Sequence, residues 1–434
     1  MDQMDPARTD PWCLVGLKLV RMLGYGLTTV ILVPFLHDAG CTDEQIGLFM
    51  TLTLVGDVAL SFAVTFRADA IGRRFMLGLS SVLMLLSGVC FMFSTNFWIL
   101  LCAAIFGVIS PSGDEVGPFR SIEEASIAQV TQDAGRARIF AAQNLVGTFG
   151  MAAGFVVGGW TADFFTEKTG RTVDAYRVVF FGYVLCALAS LLVSVQLSPE
   201  IEVAVALPAG DAEPAQDASA DAGDAEDSVS RVSIDTSGDA SARTSRPDAD
   251  FGTSINTSFS LIMLFGIDSL AYGFMTNSWL IEYFYRRFGA SSTLVGALFF
   301  VASSISALTS FPSAWLTNHI GALNAVCTTK LGAGLFGAVI PFAKQLYGAV
   351  GLVWLRSIFD TMDVVPRQMF LTSVVAETDR TRVLGLVNIS KTVGRAVGPV
   401  FTGLLAGRGA LAYCFPIVGA LEWVFSAAIY GTFA

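Results

Sequence analysis

Apolar stretches of about 20 residues recur along this 434-residue chain, and they constrain its fold more than any other feature. A helix of that length crosses the roughly 30 Å hydrocarbon core of a bilayer. Only 14% of the residues are charged, against roughly 25% in an average soluble domain. The chain is therefore expected to be an all-α membrane protein. Twelve transmembrane helices are predicted, at about 13–36, 44–66, 75–95, 97–128, 138–164, 177–197, 255–284, 291–316, 322–344, 347–374, 381–406 and 409–433.

An acidic segment divides these helices into two sets of six. Between Glu200 and Asp250 lie 13 acidic and three basic residues, which account for the whole formal charge of −10. A segment so poor in apolar residues cannot offset the entropy cost of ordering, so it is expected to be disordered. We therefore predict an N-terminal six-helix bundle over 1–197, a disordered cytoplasmic linker over 198–254 and a C-terminal six-helix bundle over 255–434.

An internal repeat relates the two sets of helices. Residues 135–159 and 379–403 share nine identities in 25 positions at a shift of 244, and several of these are Arg, Asn or Thr rather than apolar residues. A second match, at a shift of 249, pairs Gly24, Phe35, Gly40 and Gly47 with Gly273, Phe284, Gly289 and Gly296. Because each repeat holds an even number of spans, the two bundles run parallel across the membrane, as in many secondary transporters.

The loop charges give a weaker indication of orientation. Lys and Arg are equally numerous in the loops of the two sides, so their total sets no direction. The first two loops on the side opposite the termini contain neither residue. Since the earliest spans usually dominate, both termini and the linker are expected to be cytoplasmic.

Three short segments carry a resemblance to a known family. They are TFRADAIGRRFML (65–77), GMAAGFVVGG (150–159) and GRAVGPVFTG (394–403). Together with the six-plus-six arrangement, they resemble the conserved loop and glycine rows of the major facilitator superfamily. The chain departs from the family at Phe155, where a proline is expected, and in the fourth helix, which lacks the family's arginine. The resemblance implies the family fold and indicates no substrate.

The loop at 65–77 resembles the family's gating loop, which holds the two halves together when the carrier faces outward. The resemblance implies that Asp69 acts at the N-terminus of the eleventh helix, where the helix dipole favours an anion. It also implies that Arg73 or Arg74 pairs with an acid at the end of the fourth helix. Positive charge that merely sets topology is the alternative. The predicted gating residues are Asp69, Gly72, Arg73, Arg74, Glu123 and Glu124.

Glycine rows in the fifth and eleventh helices are predicted to let helices pack backbone to backbone. A purely structural role and a role in sliding during transport both fit this pattern. The predicted packing residues are Gly150, Gly154, Gly158, Gly159, Gly394, Gly398, Pro399 and Gly403.

Ionisable residues at membrane depth are the candidates for binding substrate or protons, because a charge in lipid is costly and normally faces a cavity. The resemblance implies that the first, fourth, seventh and tenth helices line that cavity. Internal ion pairs, such as Arg120 with Glu123 or Glu124, are the alternative, and Asp57, Lys391, Arg395 and Glu422 are expected to have structural partners. The candidates are Arg21, Asp114, Glu115, Asp268, Asp360 and Asp363.

These features predict a secondary transporter that moves a small solute by alternating access and is coupled to protons. A facilitative uniporter and a non-transporting sensor are the alternatives. The chain has no Walker-type loop for ATP. Two isolated His and seven scattered Cys indicate neither a metal site nor an enzyme. No cofactor and no nucleic-acid partner are expected; the expected partners are the bilayer, a small molecule and protons, with the protein as a monomer.

Overall fold

Helices make up nearly all of the structure, a computed structural model that describes residues 6–107, 109, 118–131, 133–202, 251–375 and 380–433. The α-helices are α1 (Pro6–Asp38), α2 (Asp43–Ile71), α3 (Arg73–Phe93), α4 (Phe97–Gly107), α5 (Pro118–Val130), α6 (Asp133–Thr169), α7 (Thr172–Val195), α8 (Phe251–Phe274), α9 (Asn277–Phe288), α10 (Ser292–Ile320), α11 (Ala322–Val339), α12 (Leu346–Met362), α13 (Val364–Val374), α14 (Arg380–Gly407) and α15 (Cys414–Phe433).

These helices form the twelve predicted spans. In the described part of the chain, nine segments are long and apolar enough to cross a bilayer. The fourth span is divided between α4 and α5 and the tenth between α12 and α13, while the eleventh, α14, carries Lys391 and Arg395 within it. The prediction of an all-α, twelve-helix membrane protein is confirmed.

The fourth span begins as predicted at Phe97, but its centre lies outside the described residues. The first part, α4, ends at Gly107, and α5 starts at Pro118. Asp114 and Glu115 fall in the interval between these helices, outside the described residues.

The most extensive packing between the six-helix sets is of α2 on α14 and of α6 on α10. A Cβ atom built on Gly47 of α2 would lie 2.5 Å from the Pro399 carbonyl oxygen and 2.9 Å from Gly403 Cα. Gly296 of α10 meets the Phe155 carbonyl of α6 in the same way. The 249-residue shift relates Gly47 to Gly296, so the two contacts are equivalent by the internal repeat.

The glycine rows pack mainly inside each half. Gly150, Gly154 and Gly158 of α6 lie against the α1 backbone, and Gly394 and Gly398 of α14 lie against α8. The last glycine of each row, Gly159 or Gly403, reaches the opposite half instead, where it meets Ser292 or Asp43. Each row therefore holds its own bundle together and ends in a contact between bundles.

We call the side where α1 begins and α7 ends the terminal face, and the opposite side the distal face. The linker was predicted to start at Ser198, yet Ser198–Glu202 are ordered on the terminal face. Pro199–Ile201 form a 3₁₀ turn, Ile201 is fully buried, and Ser198 donates to the Asp10 carboxylate. Residues 198–202 of the predicted linker thus belong to the folded part of the chain, and the predicted disorder of 203–250 lies outside the described residues. The helices on its two sides, up to Glu202 and from Ser258, form one compact unit.

Candidate functional site

A group of buried charges lies where α8, α11, α12 and α13 meet. The Lys330 ammonium of α11 is 2.8 Å from an Asp268 oxygen, 3.5 Å from Asp363 and 3.8 Å from Asp360. Arg367 is 3.1 Å from the other Asp268 oxygen and also pairs with Asp363. Two cations therefore share three carboxylates, next to the point where the tenth span is broken at Asp363.

Two further cations on α14 border this group. Lys391 Nζ stands 5.1 Å from the centroid of the Phe265 ring, and Arg395 lies over the Tyr272 ring at 4.4 Å. A cation over an aromatic face is held by the negative charge of the ring face, more weakly than by a carboxylate. Lys391 also interacts electrostatically with Arg367 and Asp268.

The last pair links α12 to α15, since Arg356 lies 3.6 Å from Glu422. Sequence reasoning expected structural partners for Glu422, Lys391 and Arg395. The structure places Glu422 beside Arg356. It places Lys391 over the Phe265 ring and Arg395 over the Tyr272 ring. We define the charged cluster by its members on the C-terminal helices: Asp268, Lys330, Arg356, Asp360, Asp363, Arg367, Lys391, Arg395 and Glu422.

Burial is uneven within the charged cluster. The Asp268 and Asp363 carboxylates are nearly or fully buried, whereas the Asp360 side chain is 34% exposed. Asp268 and Asp363 are accordingly enclosed by the protein, and Asp360 is the most exposed of the three carboxylates.

Arg21 does not join the cluster but forms a buried pair in the N-terminal half. Its guanidinium donates to both Glu123 oxygens, at 2.6 and 2.8 Å, and Gln143 lies 3.4 Å from the same carboxylate. Glu124, one residue on, pairs with Arg120 at 2.7 Å on the surface, as the alternative interpretation expected. The expected pairing of Arg73 or Arg74 with these acids is replaced by other contacts, because Glu123 points inward to Arg21.

Asp57 also differs from expectation. Sequence reasoning gave it a partner on the eleventh span, but among the described residues neither carboxylate oxygen has a hydrogen-bond partner, and the side chain is fully buried in α2. A buried carboxylate without partners is costly as an anion.

The predicted gating loop is tied to the start of the linker. Gly72 has φ +109°, a conformation that favours glycine, and it is the residue directly before the first turn of α3. The Glu202 carboxylate accepts from the backbone N–H groups of Arg73 and Arg74, at 2.7 and 3.1 Å. Arg73 donates to Gln129, and Arg74 to the Val195 carbonyl. The side chain of Asp69 lies outside the described residues.

Replacing Glu202 by glutamine is expected to lower the free energy of unfolding by about 1 kcal/mol, because a charged acceptor at a helix N-terminus is lost. A lower Tm of the purified variant would show this. Glu200→Gln is the matched control, since Glu200 is exposed one turn earlier. An equal Tm for the two variants would contradict the capping role.

At the distal face, contacts between polar and charged side chains connect the two halves. His37 lies 3.0 Å from Asp43 and 3.6 Å from Glu282, while Arg286 pairs with Asp43 and, at 2.6 Å, with Glu282. His37 and Asp43 flank the first loop, whereas Glu282 and Arg286 belong to α9. These contacts join α1 and α2 to α9.

A second link at the distal face is a helix cap shared between halves. The Asp163 carboxylate of α6 accepts from the backbone N–H groups of Ser292 and Thr293, at 3.0 and 2.7 Å. It thus caps the N-terminus of α10, where the helix dipole favours an anion. A cleft of about 470 Å³ lies between this cap and His37.

Comparison with known proteins agrees with this geometry. The sequence profile of the Major Facilitator Superfamily matches residues 14–241. The uncharacterized membrane protein YJR124C of Saccharomyces cerevisiae is 38% identical over 407 residues, covering 93% of this chain and 89% of the yeast protein. The chain belongs to the major facilitator superfamily. The predicted resemblance is confirmed, and the protein is a multi-pass membrane transporter of this superfamily.

Solved structures of the superfamily share the fold. A bacterial homologue of the human lysosomal transporter Spinster, inward-facing and occupied, has a TM-score of 0.70 at 15% identity and covers 98% of this chain and 97% of its own. A bacterial homologue of the iron transporter ferroportin, also inward-facing, has a TM-score of 0.71 at 11% identity, with 98% of both chains covered. At such identities the likeness concerns the fold alone.

Within this superfamily fold, the structure brings together Asp268, Asp360 and Asp363 from the predicted set. It also adds Lys330, which sequence reasoning passed over although it is a lysine in the middle of the apolar segment 322–344. An ionisable residue at that depth is itself a signal. His37, Asp43, Glu282 and Arg286 had no such signal, since they lie at the ends of spans, where charges are ordinary.

Proposed function

We propose that this protein is a secondary active transporter that moves a small solute by alternating access and couples it to protons. The observation that carries the proposal is the charged cluster, in which a buried cation, Lys330, and a partly buried one, Arg367, share three carboxylates beside a break in a membrane-spanning helix. In this proposal the protein works as a monomer, without enzymatic chemistry, and its termini and linker face the cytoplasm.

The contacts between halves support alternating access. The contact of His37 with Glu282 and the ion pair of Arg286 with Asp43, together with the Asp163 cap, close the distal face. We take this as the state in which the site communicates with the terminal face. In the opposite state these contacts separate, and the Gly72–Arg74 loop closes the terminal face.

Proton coupling follows from how the cluster shares charge. Asp363 pairs with both Lys330 and Arg367, and its Oδ1 atom is buried with no hydrogen-bond partner among the described residues. A proton on Asp363 would weaken both ion pairs at once. Lys330 and Arg367 would then both be held mainly by Asp268, and Arg367 would lose its link to the first residue before α13. Protonation is thereby linked to the packing of α13.

The experiment measures distances by electron resonance between two pairs of spin labels. One pair, at Arg138 and Asn318, spans the two halves on the terminal face; the other, at Glu167 and Tyr347, spans them on the distal face. All four sites are exposed. Labels carried by non-canonical amino acids leave the seven free cysteines in place. The protein is reconstituted in lipid nanodiscs.

Lowering the pH from about 8 to about 5, a range that brackets perturbed carboxyls, is expected to shift the two distance distributions in opposite directions. Asp363→Asn should abolish this response. Asp174→Asn, which alters an exposed distal ion pair with Arg177, should retain it.

The alternatives give different results in the same experiment. Two distance populations whose proportions do not change with pH would indicate a uniporter. A single distance distribution at every pH would indicate a sensor that does not cycle, and it would contradict alternating access.

A further inference from the structure

We infer that the transported solute is an organic anion, and that Lys391, with Arg367 and Arg395, forms the subsite for its charged group. This inference rests on the proposed function in taking the charged cluster as the substrate site. It adds the chemical class of the substrate, which neither the fold nor the family supplies.

The pairing of charges in the cluster is the first observation. Lys330, Arg356 and Arg367 each lie within 4 Å of a carboxylate oxygen. In the described part of the chain, no carboxylate oxygen comes that close to Lys391, and its charge meets the Phe265 ring. Among the described residues, Lys391 is thus a cation without a direct counter-charge.

Membrane burial gives this lack of a counter-charge a consequence. An uncompensated charge inside the bilayer region costs several kcal/mol and is usually relieved by a counter-charge or by water in a cavity. An anion bound beside Lys391 would supply that counter-charge, so the position favours anions over cations.

The arrangement on α14 is the second observation. Lys391 and Arg395 are four residues apart, so they lie one above the other on the same face of the helix. Like charges at this spacing destabilise a helix. An anion accepting hydrogen bonds from both would reverse that effect. The Arg367 Nε–H group, which is buried and has no acceptor in the described structure, offers a further donor.

The rings beside these cations indicate the rest of the solute. Phe265 and Tyr272 of α8 lie seven residues apart, which is about two helical turns, and both stand against the cations of α14. An inorganic anion would use the cations alone. Aromatic walls favour a carbon skeleton next to the charge, and so an organic carboxylate or phosphate fits better.

Thermal unfolding of the purified transporter tests this inference with matched probes. Phenylacetate and benzoate are compared with phenylacetamide and benzamide, which keep the shape and remove the charge, and with phenethylamine, which reverses it. Each is added at about 10 mM, where a weak ligand still raises Tm by mass action. The carboxylates are expected to raise Tm by at least about 2 °C more than the amides.

The variants locate the effect. Lys391→Met should abolish the carboxylate shift, and Lys391→Arg should retain it. Lys168→Met is the matched control, because Lys168 also stands over a phenylalanine ring, Phe164, at 4.3 Å but lies at the distal end of α6. It should leave the shift unchanged.

Equal shifts for carboxylates and amides, including no shift for either, would overturn the anion assignment. A larger shift with phenethylamine would overturn it in favour of a cation. Neither result bears on the label distances, which test alternating access separately. Conversely, a carboxylate shift lost in Lys391→Met would stand even if those distances showed a protein that does not cycle.

Discussion

Alanine at Gly47 is expected to shift the protein away from the closed distal face by at least about tenfold, because overpacking a tight contact costs roughly 1–3 kcal/mol. The added Cβ would lie 2.5 Å from the Pro399 carbonyl oxygen and 2.9 Å from Gly403 Cα. Both neighbours are backbone atoms of α14, which cannot turn aside as a side chain can. The helices must separate, and the distal contacts of His37 and Arg286 separate with them.

The label pair at Glu167 and Tyr347 would report a longer distance in Gly47→Ala. Gly351→Ala is the matched control, since a Cβ there meets nothing within 4 Å. Alanine is a better helix former than glycine by about 1 kcal/mol, so this control should be as stable as the parent or more so. Gly296→Ala, the equivalent position in the second half, should behave like Gly47→Ala. An unchanged distal distance in both variants would contradict the proposed role of these contacts.

Removing one partner of the Arg21–Glu123 pair is expected to produce the largest loss of stability. Arg21→Met leaves the Glu123 carboxylate, which is fully buried, without its bidentate partner. Breaking a buried pair in this way costs about 3–5 kcal/mol. The double variant Arg21→Met with Glu123→Leu removes the stranded charge and should recover most of that loss. Thermal unfolding of the purified variants measures both effects.

The neighbouring pair Arg120–Glu124 serves as the control for this comparison. Both of its residues lie on α5, the helix that also carries Glu123. It is likewise an arginine–glutamate pair, at a similar distance of 2.7 Å, but its side chains are 54% and 41% exposed. Arg120→Met should therefore cost no more than about 1 kcal/mol. If Arg21→Met and Arg120→Met lowered Tm equally, burial would not be the source of the difference.

The fold was predictable because the bilayer sets the length of each span and because the internal repeat can be recognised from the sequence. Residues 135–159 and 379–403 share enough Arg, Asn and Thr to reveal the duplication, and the glycines they share mark helix contacts. The start of the linker was not predictable. Ser198–Glu202 read as polar and acidic, and only the fold shows that Glu202 reaches the N-terminus of α3.

The site was predictable in its residue types and less so in its pairings. Asp268, Asp360 and Asp363 stood out as acids at membrane depth. Which cation each one meets depends on how the helices are rotated about their axes, and apolar composition on every face leaves that rotation undetermined. Lys330 therefore had no visible partner, and Glu123 was assigned to Arg73 or Arg74 instead of Arg21. For Asp57 the expected partner does not exist in the described structure.

The charged cluster holds Asp363, the proposed proton acceptor, in the same group as Lys391, and this has a consequence for energetics across a polarised membrane. Moving one elementary charge through the full membrane potential changes its free energy by about 2.3 kcal/mol per 100 mV. A monovalent anion bound beside Lys391 and a proton on Asp363 together add no net charge, so the empty and the loaded carrier would have the same charge. A resting potential would then leave the balance of the full cycle unchanged, and the gradients of the solute and of protons alone would set how far the cargo accumulates.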